Sequence, residues 1–355
     1  VNTQVALSLI DDAGRSAGAG LYNNGLPLCR TLNAWRNGTT ISNGAVFMPA
    51  RVTDGGSASA SDTIVFTSGR AGGALSSLPV LAAMADAGSP IDVSSGGVIN
   101  NGDFALVGAP VDMTLPGSVS VPCTLIQLTA SPAAYTAAAP DCVASAPCQR
   151  LVRAGAAAGV NPTSPATAFS NPVRYGRTAT AGVSAPAVVS RLGGEFRQTG
   201  FRVMCSALVT YNAFTDTPAC TSAVSFSGGA NALVTDIVLV HAQYGISNSE
   251  ASDQVTDWVS ASGAWANPSA GDAARVKAVR VVLVTRSKEA DAAEVSAACT
   301  NTAGVVNTGP CGFDDAAAPV IDVSAQPVVA GKTWRHYRYR THQAVIPLRS
   351  VIWSM

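Results

Sequence analysis

Residues 1–18 carry the clearest helical pattern of the chain. On a helical wheel the apolar side chains share one face and polar side chains fill the opposite one, which predicts an amphipathic helix. The apolar face consists of Ala6, Leu9, Ile10, Ala13 and Ala17. Gly18 and Gly20 then supply residues that end helices. Because no Ser, Thr or Asp cap precedes the pattern, we expect this helix to be the distal part of a longer one, with an ordinary surface helix as the alternative.

Most of the remaining chain alternates between apolar and polar positions, which predicts strands and turns. The strongest pattern is residues 275–284, where strict alternation passes into a continuous apolar run. The pattern at residues 201–209 predicts one further strand. The pattern at residues 334–340 predicts a strand with a basic face and an aromatic face. Residues 231–244 fit helical and extended spacing equally, so both interpretations stay open. One helix facing much sheet favours packing of the sheet against the apolar helix face.

Two stretches lack large apolar residues and interrupt the strand pattern. Residues 130–186 are rich in Ala, Pro, Ser and Thr, and residues 287–320 are polar and contain two cysteines. We expect both to be loop-rich insertions. The predicted organisation is a helical segment at 1–20 followed by one β-rich head at 21–355.

Composition narrows the class of protein. The 22 basic residues balance 22 acidic ones, which argues against a nucleic-acid-binding surface, and only 12% of residues are charged. No run of about 18 apolar residues is present, so we expect no membrane span within this sequence.

Eight cysteines and only three histidines favour disulfides over a zinc site. We predict the local pairs Cys142–Cys148, Cys205–Cys220 and Cys299–Cys311, which leaves Cys29 with Cys123. Eight cysteines allow about 105 connectivities, so the sequence alone does not choose between them. The cysteine usage indicates an oxidising compartment.

Candidate chemistry is sparse. His241, His336 and His342 are the possible general bases, but no serine lies in a G-x-S-x-G elbow, so we predict no catalytic residue. We also predict no cofactor, with calcium as the alternative, because oxygen-bearing loops suit that ion although their spacing matches no EF-hand. The candidate calcium ligands are Asn248, Ser249, Glu250 and Asp253, or Asp103 and Asp112.

Arginine and tryptophan side chains provide two further candidates. Arg338, Arg340 and Arg349 are able to bind an anion, but arginines interleaved with aromatic residues more often stack between strands. Trp258 and Trp265 lie on a predicted loop, where tryptophans mark a sugar or protein contact or cover the edge of a core. We favour the structural interpretation for both groups.

Several blocks of sequence, in order, resemble one protein family. Residues 337–340, with 346–349 and 352–353, look like the carboxyl end of PilW-type minor pilins of type IV pili. Residues 9–18 resemble the end of the long helix of that family, which closes on Arg-x-Ala-Gly. The early strands 62–65 and 123–129 and the later blocks 242–246 and 275–280 also agree. The resemblance spans nearly the whole chain outside residues 130–186 and parts of 287–320.

The resemblance implies an α+β pilin-like head, with one amino-terminal spine helix packed on antiparallel sheets. It also implies a structural, non-catalytic role in a tip complex that primes type IV pilus assembly, displays a tip adhesin, and supports adhesion and twitching motility. The implied partners are other minor pilins, the major pilin and an adhesin, without nucleic acid. The implied location is the bacterial inner membrane and periplasm, through a membrane helix that this sequence lacks, and then the pilus tip.

Two surfaces are predicted to bind partners. One is the outer flank of the helix, formed by Val5, Leu9, Asp12, Arg15 and Ser16, and the other is an open sheet edge. The alternatives are a J-type minor pseudopilin of type II secretion, and a secreted β-rich enzyme or carbohydrate-binding protein.

Overall fold

The structure is a computed structural model that describes residues 2–23, 26–69, 77–94, 99–109, 121–136, 147–178, 180–222 and 225–352. Within these ranges the chain forms two compact units. One unit comprises residues 2–17, 49–67 and 198–352, and the other comprises residues 18–48 and 68–197. Each unit has its own sheets, so each is described by itself.

Strands dominate the structure, with 41% strand against 11% helix. The predicted α+β fold, a pilin-like head on a long spine helix, is therefore wrong. The described residues contain four α-helices: α1 (Asn2–Ser16), α2 (Pro165–Ala168), α3 (Ala270–Ala274) and α4 (Arg349–Ile352). Helix α1 ends before Gly18 and Gly20 because both glycines adopt positive φ, at 83° and 79°. Beyond that point alternating apolar positions and β-branched residues favour strands almost everywhere.

The unit containing α1 is built on two larger sheets. The five-stranded sheet has the order β20 (Asn231–Thr235), β17 (Ala207–Asn212), β16 (Phe196–Met204), β6 (Thr63–Gly69) and β5 (Ala50–Thr53). The four-stranded sheet has the order β22 (Asp257–Ser260), β21 (Ile237–Ile246), β23 (Val276–Arg286) and β26 (Tyr339–Pro347). Two hairpins pair β18 (Ala219–Ser222) with β19 (Ser225–Ser227), and β24 (Cys299–Thr300) with β25 (Val306–Asn307). Single 3₁₀ turns lie at Gly263–Trp265 and Trp334–His336.

The core of this unit follows its two central strands. Every residue of β21 is buried, and so are the first nine residues of β23, which confirms the strand predicted at 275–284. Apolar residues of these strands pack with Ile321 and Val323 from the following loop. The hydroxyl of Tyr244 on β21 accepts from the amide of Val52 at 2.6 Å and donates to its carbonyl at 3.2 Å. This side chain thereby satisfies the outer backbone groups of Val52 on edge strand β5.

The second unit contains a six-stranded sheet in the order β4 (Thr39–Val46), β3 (Thr31–Arg36), β10 (Cys123–Gln127), β9 (Phe104–Gly108), β15 (Val188–Gly193) and β7 (Leu78–Pro79). A three-stranded sheet has the order β11 (Ala133–Tyr135), β12 (Cys148–Leu151) and β8 (Ile91–Val93). Short pairs join β1 (Tyr22–Asn23) to β2 (Leu26–Pro27), and β13 (Arg174–Tyr175) to β14 (Val183–Ser184). The pairs β3–β10 and β13–β14 are parallel, so the sheets are not purely antiparallel as predicted. A core of aliphatic side chains and Tyr175 lies between the sheets.

The structure joins Cys29 to Cys123, Cys205 to Cys220 and Cys299 to Cys311, as the sequence analysis paired them. Cys148 is also disulfide-bonded, whereas its predicted partner Cys142 lies outside the described residues.

Two predicted elements differ from the structure, and a third, for which helical and extended interpretations were both open, is extended. Residues 201–209 form a hairpin of β16 and β17, because Cys205 and Ser206 both adopt positive φ and turn the chain. Residues 231–244 form two strands, β20 and β21, separated by Asp236 at φ 64°. Residues 334–336 form a 3₁₀ turn, so the predicted strand at 334–340 begins only at Tyr339.

Candidate functional site: the exposed face of helix α1

Helix α1 buries one face completely. Ala6, Ile10 and Ala17 have no exposed surface, and Gly14 between them is buried as well. A methyl group at Gly14 would meet the side chain of Ile346 on β26 and would lie 3.2 Å from the ring of Phe66 on β6. The helix backbone at Gly14 therefore lies directly against side chains of the two strands. This close contact fixes which face of the helix points away from the strands.

A second face of α1 is exposed and carries the predicted partner-binding residues. Val5 is 54% exposed and Leu9 is 41% exposed, and Asp12 and Ser16 are exposed beside them. These four residues follow the spacing i, i+4, i+7 and i+11, so they lie on one face of the helix. Arg15 is half-buried at the flank of this face. We call Val5, Leu9, Asp12 and Ser16 the outer face of α1.

Two features of α1 differ from the sequence analysis or refine it. Leu9 was assigned to the apolar core face, but it lies about 100° away from the buried residues around the helix axis and is exposed. Arg15 pairs with Asp11 one turn earlier at 2.5 Å, and this hydrogen bond and charge raise the pKa of Arg15. Because the guanidinium of Arg15 is already paired with Asp11, the charged residue of the outer face is Asp12.

A second exposed feature lies beside the helix. Helix α1 packs on β26, and β26 is an edge strand because, among the described strands, it pairs only with β23. Arg340, Gln343 and Val345 are exposed along it, with Val345 at 51%. The sequence predicted an open sheet edge but not its position. The alternation of residues 339–346 is the signal that points to this strand.

His241 has an acceptor beside each of its ring nitrogens. It is buried and lines a pocket of about 230 Å³, together with Ser260 and Ser262. Its Nε2 lies 3.1 Å from the carbonyl oxygen of Ala58, and its Nδ1 lies 3.5 Å from Asp62 Oδ2. Because both ring nitrogens face acceptors, neither is available to take a proton from a hydroxyl.

The charge state of His241 follows from the same contacts. Burial lowers the pKa of His241, but the hydrogen bond and charge of Asp62, with the Ala58 carbonyl, outweigh it and leave this pKa raised. His336 Nδ1 accepts from the backbone amide of Thr333 at 3.2 Å and caps a short turn. Burial lowers the pKa of His342 on β26.

In the loops proposed for calcium, a lysine or an arginine side chain contacts the oxygen atoms of a candidate ligand residue. Lys277 is buried and its Nζ donates to the carbonyl of Glu250 at 2.9 Å, in the loop of residues 248–253. Burial lowers the pKa of Lys277. Asp103 pairs with Arg191 at 2.7 Å, and Asp112 lies outside the described residues. No cluster of three or more metal-ligating side chains occurs within the described ranges.

Arg338 and the two tryptophans make structural contacts. Arg338 pairs with Asp291 at 3.0 Å, and this interaction lowers the pKa of Asp291. Trp258 stacks on the guanidinium of Arg280 at 4.7 Å. Trp265 packs against Tyr244, with 6.4 Å between ring centroids. These contacts agree with the interpretation that the tryptophans cover the edge of the core.

Comparison with known families gives a match to a pilus-assembly family. Residues 216–350 match the family model described as type IV pilus-assembly protein W. This match, over less than half of the chain, supports a PilW-type pilus protein. The matched region contains β18 to β26, and therefore includes the whole four-stranded sheet that supports α1. Neither the curated proteins nor the solved structures that were compared gave a match.

The match also indicates the broad role of the protein. It supports a relation to type IV pilus assembly, a structural role and contacts with other assembly components. It also points to a pilus-associated location. No helix among the residues that the structure describes is long and apolar enough to cross a membrane.

Proposed function

We propose that this PilW-type protein is a non-catalytic minor subunit of the complex that primes type IV pilus assembly, and that it binds neighbouring subunits through the outer face of α1. One observation carries the proposal: Val5 and Leu9 lie side by side in solvent on a helix that buries a different face against the strands. The other minor pilins are the proposed neighbours. A location at the pilus tip, with display of an adhesin, belongs to the same proposal.

The size of the expected effect follows from the exposed apolar surface. Burying a valine or leucine side chain completely is worth about 1.5–3 kcal/mol. Val5 and Leu9 are each about half exposed, so a partner that covers both gains about 2 kcal/mol, or roughly 30-fold in affinity. Asp12 on the same face adds a hydrogen-bonding group that selects among partners.

The test is a binding measurement with purified pilus subunits of the same assembly system. Leu9→Asp removes apolar surface and places a charge in the proposed interface, so we expect binding to weaken at least tenfold. Val329→Asp is the matched control, because Val329 is 62% exposed and lies in a loop outside the proposed interface. Unfolding midpoints of both variants should equal that of the parent chain. Equal binding by the Leu9→Asp variant and the parent chain would contradict the proposal.

The same assay separates the two filament systems. Purified minor pseudopilins of type II secretion serve as the second set of partners. We expect binding to the pilus subunits and at least tenfold weaker binding to the pseudopilins. Preferential binding to the pseudopilins would assign the protein to secretion instead.

A further inference from the structure

Strand β26 has a free backbone edge. In its register with β23, Leu348 donates to the carbonyl of Lys277 at 2.9 Å, and Ser287 donates to the carbonyl of Arg338 at 2.8 Å. Hydrogen-bonded pairs of an antiparallel ladder recur at every second residue. Thr341, Gln343 and Val345 therefore direct their amides and carbonyls away from β23, and no described residue pairs with these groups.

The edge is also regular, which distinguishes it from the other sheet edges of the described chain. The nine residues of β26 pair with β23 without a register shift. Bulges interrupt the pairing of the edge strands β4 and β20, and Tyr244 satisfies Val52 on β5. The edge strands β7, β8, β11 and β22 have only two to four residues. Proteins commonly block such edges with bulges, short strands or covering groups. A long, unblocked edge is a template for an additional strand.

The side chains of β26 indicate what kind of strand fits. Arg340 is exposed and pairs with no acidic residue of the described ranges, whereas Arg338 beside it is neutralised by Asp291. Val345, five residues further along the strand, presents apolar surface. A complementary strand carries a carboxylate opposite Arg340 and an apolar side chain opposite Val345.

We propose that an extended segment of a neighbouring pilus subunit pairs with the free edge of β26 and places an acidic side chain against Arg340. This inference rests on the proposed function, because the occupant is the subunit that binds the outer face of α1. The two surfaces lie together, since α1 packs directly on β26. One subunit is therefore able to contact the helix and extend the sheet.

The direct test is hydrogen exchange on the complete chain, alone and with purified subunits of the same pilus system. The amides of Thr341, Gln343 and Val345 point outward, so we expect them to exchange rapidly in the free protein. In the complex we expect their exchange to slow at least tenfold. The amide of Ala344 is already bonded to β23 and serves as the internal control.

A backbone substitution provides the second measurement. Gln343→Pro removes an outward donor that the sheet of this chain does not use, and proline is tolerated on edge strands for that reason. We expect Gln343→Pro to weaken subunit binding at least tenfold, while the matched variant Gln343→Ala binds like the parent chain. Arg340→Glu, which leaves the backbone unchanged, should also weaken binding.

The outcomes separate this inference from the proposed function. If a pilus subunit binds and Leu9→Asp weakens that binding, but the three amides remain unprotected, strand pairing is wrong and the proposed function stands. If no pilus subunit binds the parent chain, both are wrong. Protection of the three amides together with loss of binding by Gln343→Pro supports the inference.

Discussion

Arg280 is a buried cation that ties the loop of residues 299–320 to the central sheet. Its side chain is 2% exposed. Its guanidinium donates to Asp315 at 2.5 Å and 3.1 Å, and to Gln243 Oε1 at 2.8 Å. The rings of Trp258 and Phe313 lie 4.7 Å and 4.5 Å from the guanidinium carbon. The hydrogen bonds and charge of Arg280 lower the pKa of Asp315.

Replacement of Arg280 by methionine retains much of its volume but removes these hydrogen bonds. Breaking a buried ion pair by removing one partner costs about 3–5 kcal/mol. The cost falls at the lower end here, because Asp315 is 45% exposed and is hydrated once it is released. The loss of the hydrogen bond from Arg280 to Gln243 Oε1 adds to the cost. The methionine side chain reduces the cost, because it restores part of the contact with the two aromatic rings. We expect Arg280→Met to lower the free energy of unfolding by about 3 kcal/mol.

The assay is urea unfolding followed by circular dichroism and tryptophan fluorescence. Arg335→Met is the matched control, because Arg335 also pairs with an acidic residue and stacks on a tryptophan, but its side chain is 47% exposed. We expect the control to lose less than about 1 kcal/mol, as is usual for exposed ion pairs. A loss below about 1 kcal/mol for Arg280→Met, or equal losses for the two variants, would refute this account of the buried network.

Two further predictions concern packing and pH. Gly14→Ala should lower the free energy of unfolding by about 1–2 kcal/mol, because the collision with Ile346 outweighs the gain in helix propensity. Chemical denaturation measures this change, with Ser8→Ala on the exposed side of the helix as the control. A stabilising effect of Gly14→Ala would disprove the close contact. His241 has a raised pKa, so its stabilising charge is fully present below about pH 6.5 and is lost as pH rises through the folded pKa. The stability difference between the parent chain and His241→Gln should therefore shrink from pH 6 to pH 9, and a constant difference would show that the charge of His241 does not contribute.

The sequence predicted those elements whose pattern depends only on local periodicity. Strand β23 was predicted because alternation followed by an apolar run is typical of a strand that enters a core. The hairpin at Cys205 and Ser206 was missed because neither residue favours positive φ, so the turn depends on its tertiary setting. The predicted fold class failed because the resemblance implied a long helix that these residues do not form.

The candidate site was predicted in part. Val5, Leu9, Asp12 and Ser16 were assigned to the outer flank of the helix, and the structure places them on one exposed face. The simultaneous assignment of Leu9 to the core face was wrong, because its apolar character alone does not show which side of the helix packs on the sheet. The position of the free edge on β26 could not be predicted, because strand order depends on contacts between distant residues.

The most direct measurement of the central claim is photocrosslinking from the outer face of α1 during pilus assembly in cells. A photoreactive amino acid replaces Leu9 in one strain and Val329 in another, since both side chains are exposed. The account predicts that Leu9 forms a covalent adduct with another pilus subunit and that Val329 does not. Assembled pili without any adduct at Leu9, or with equal adducts from both positions, would contradict it.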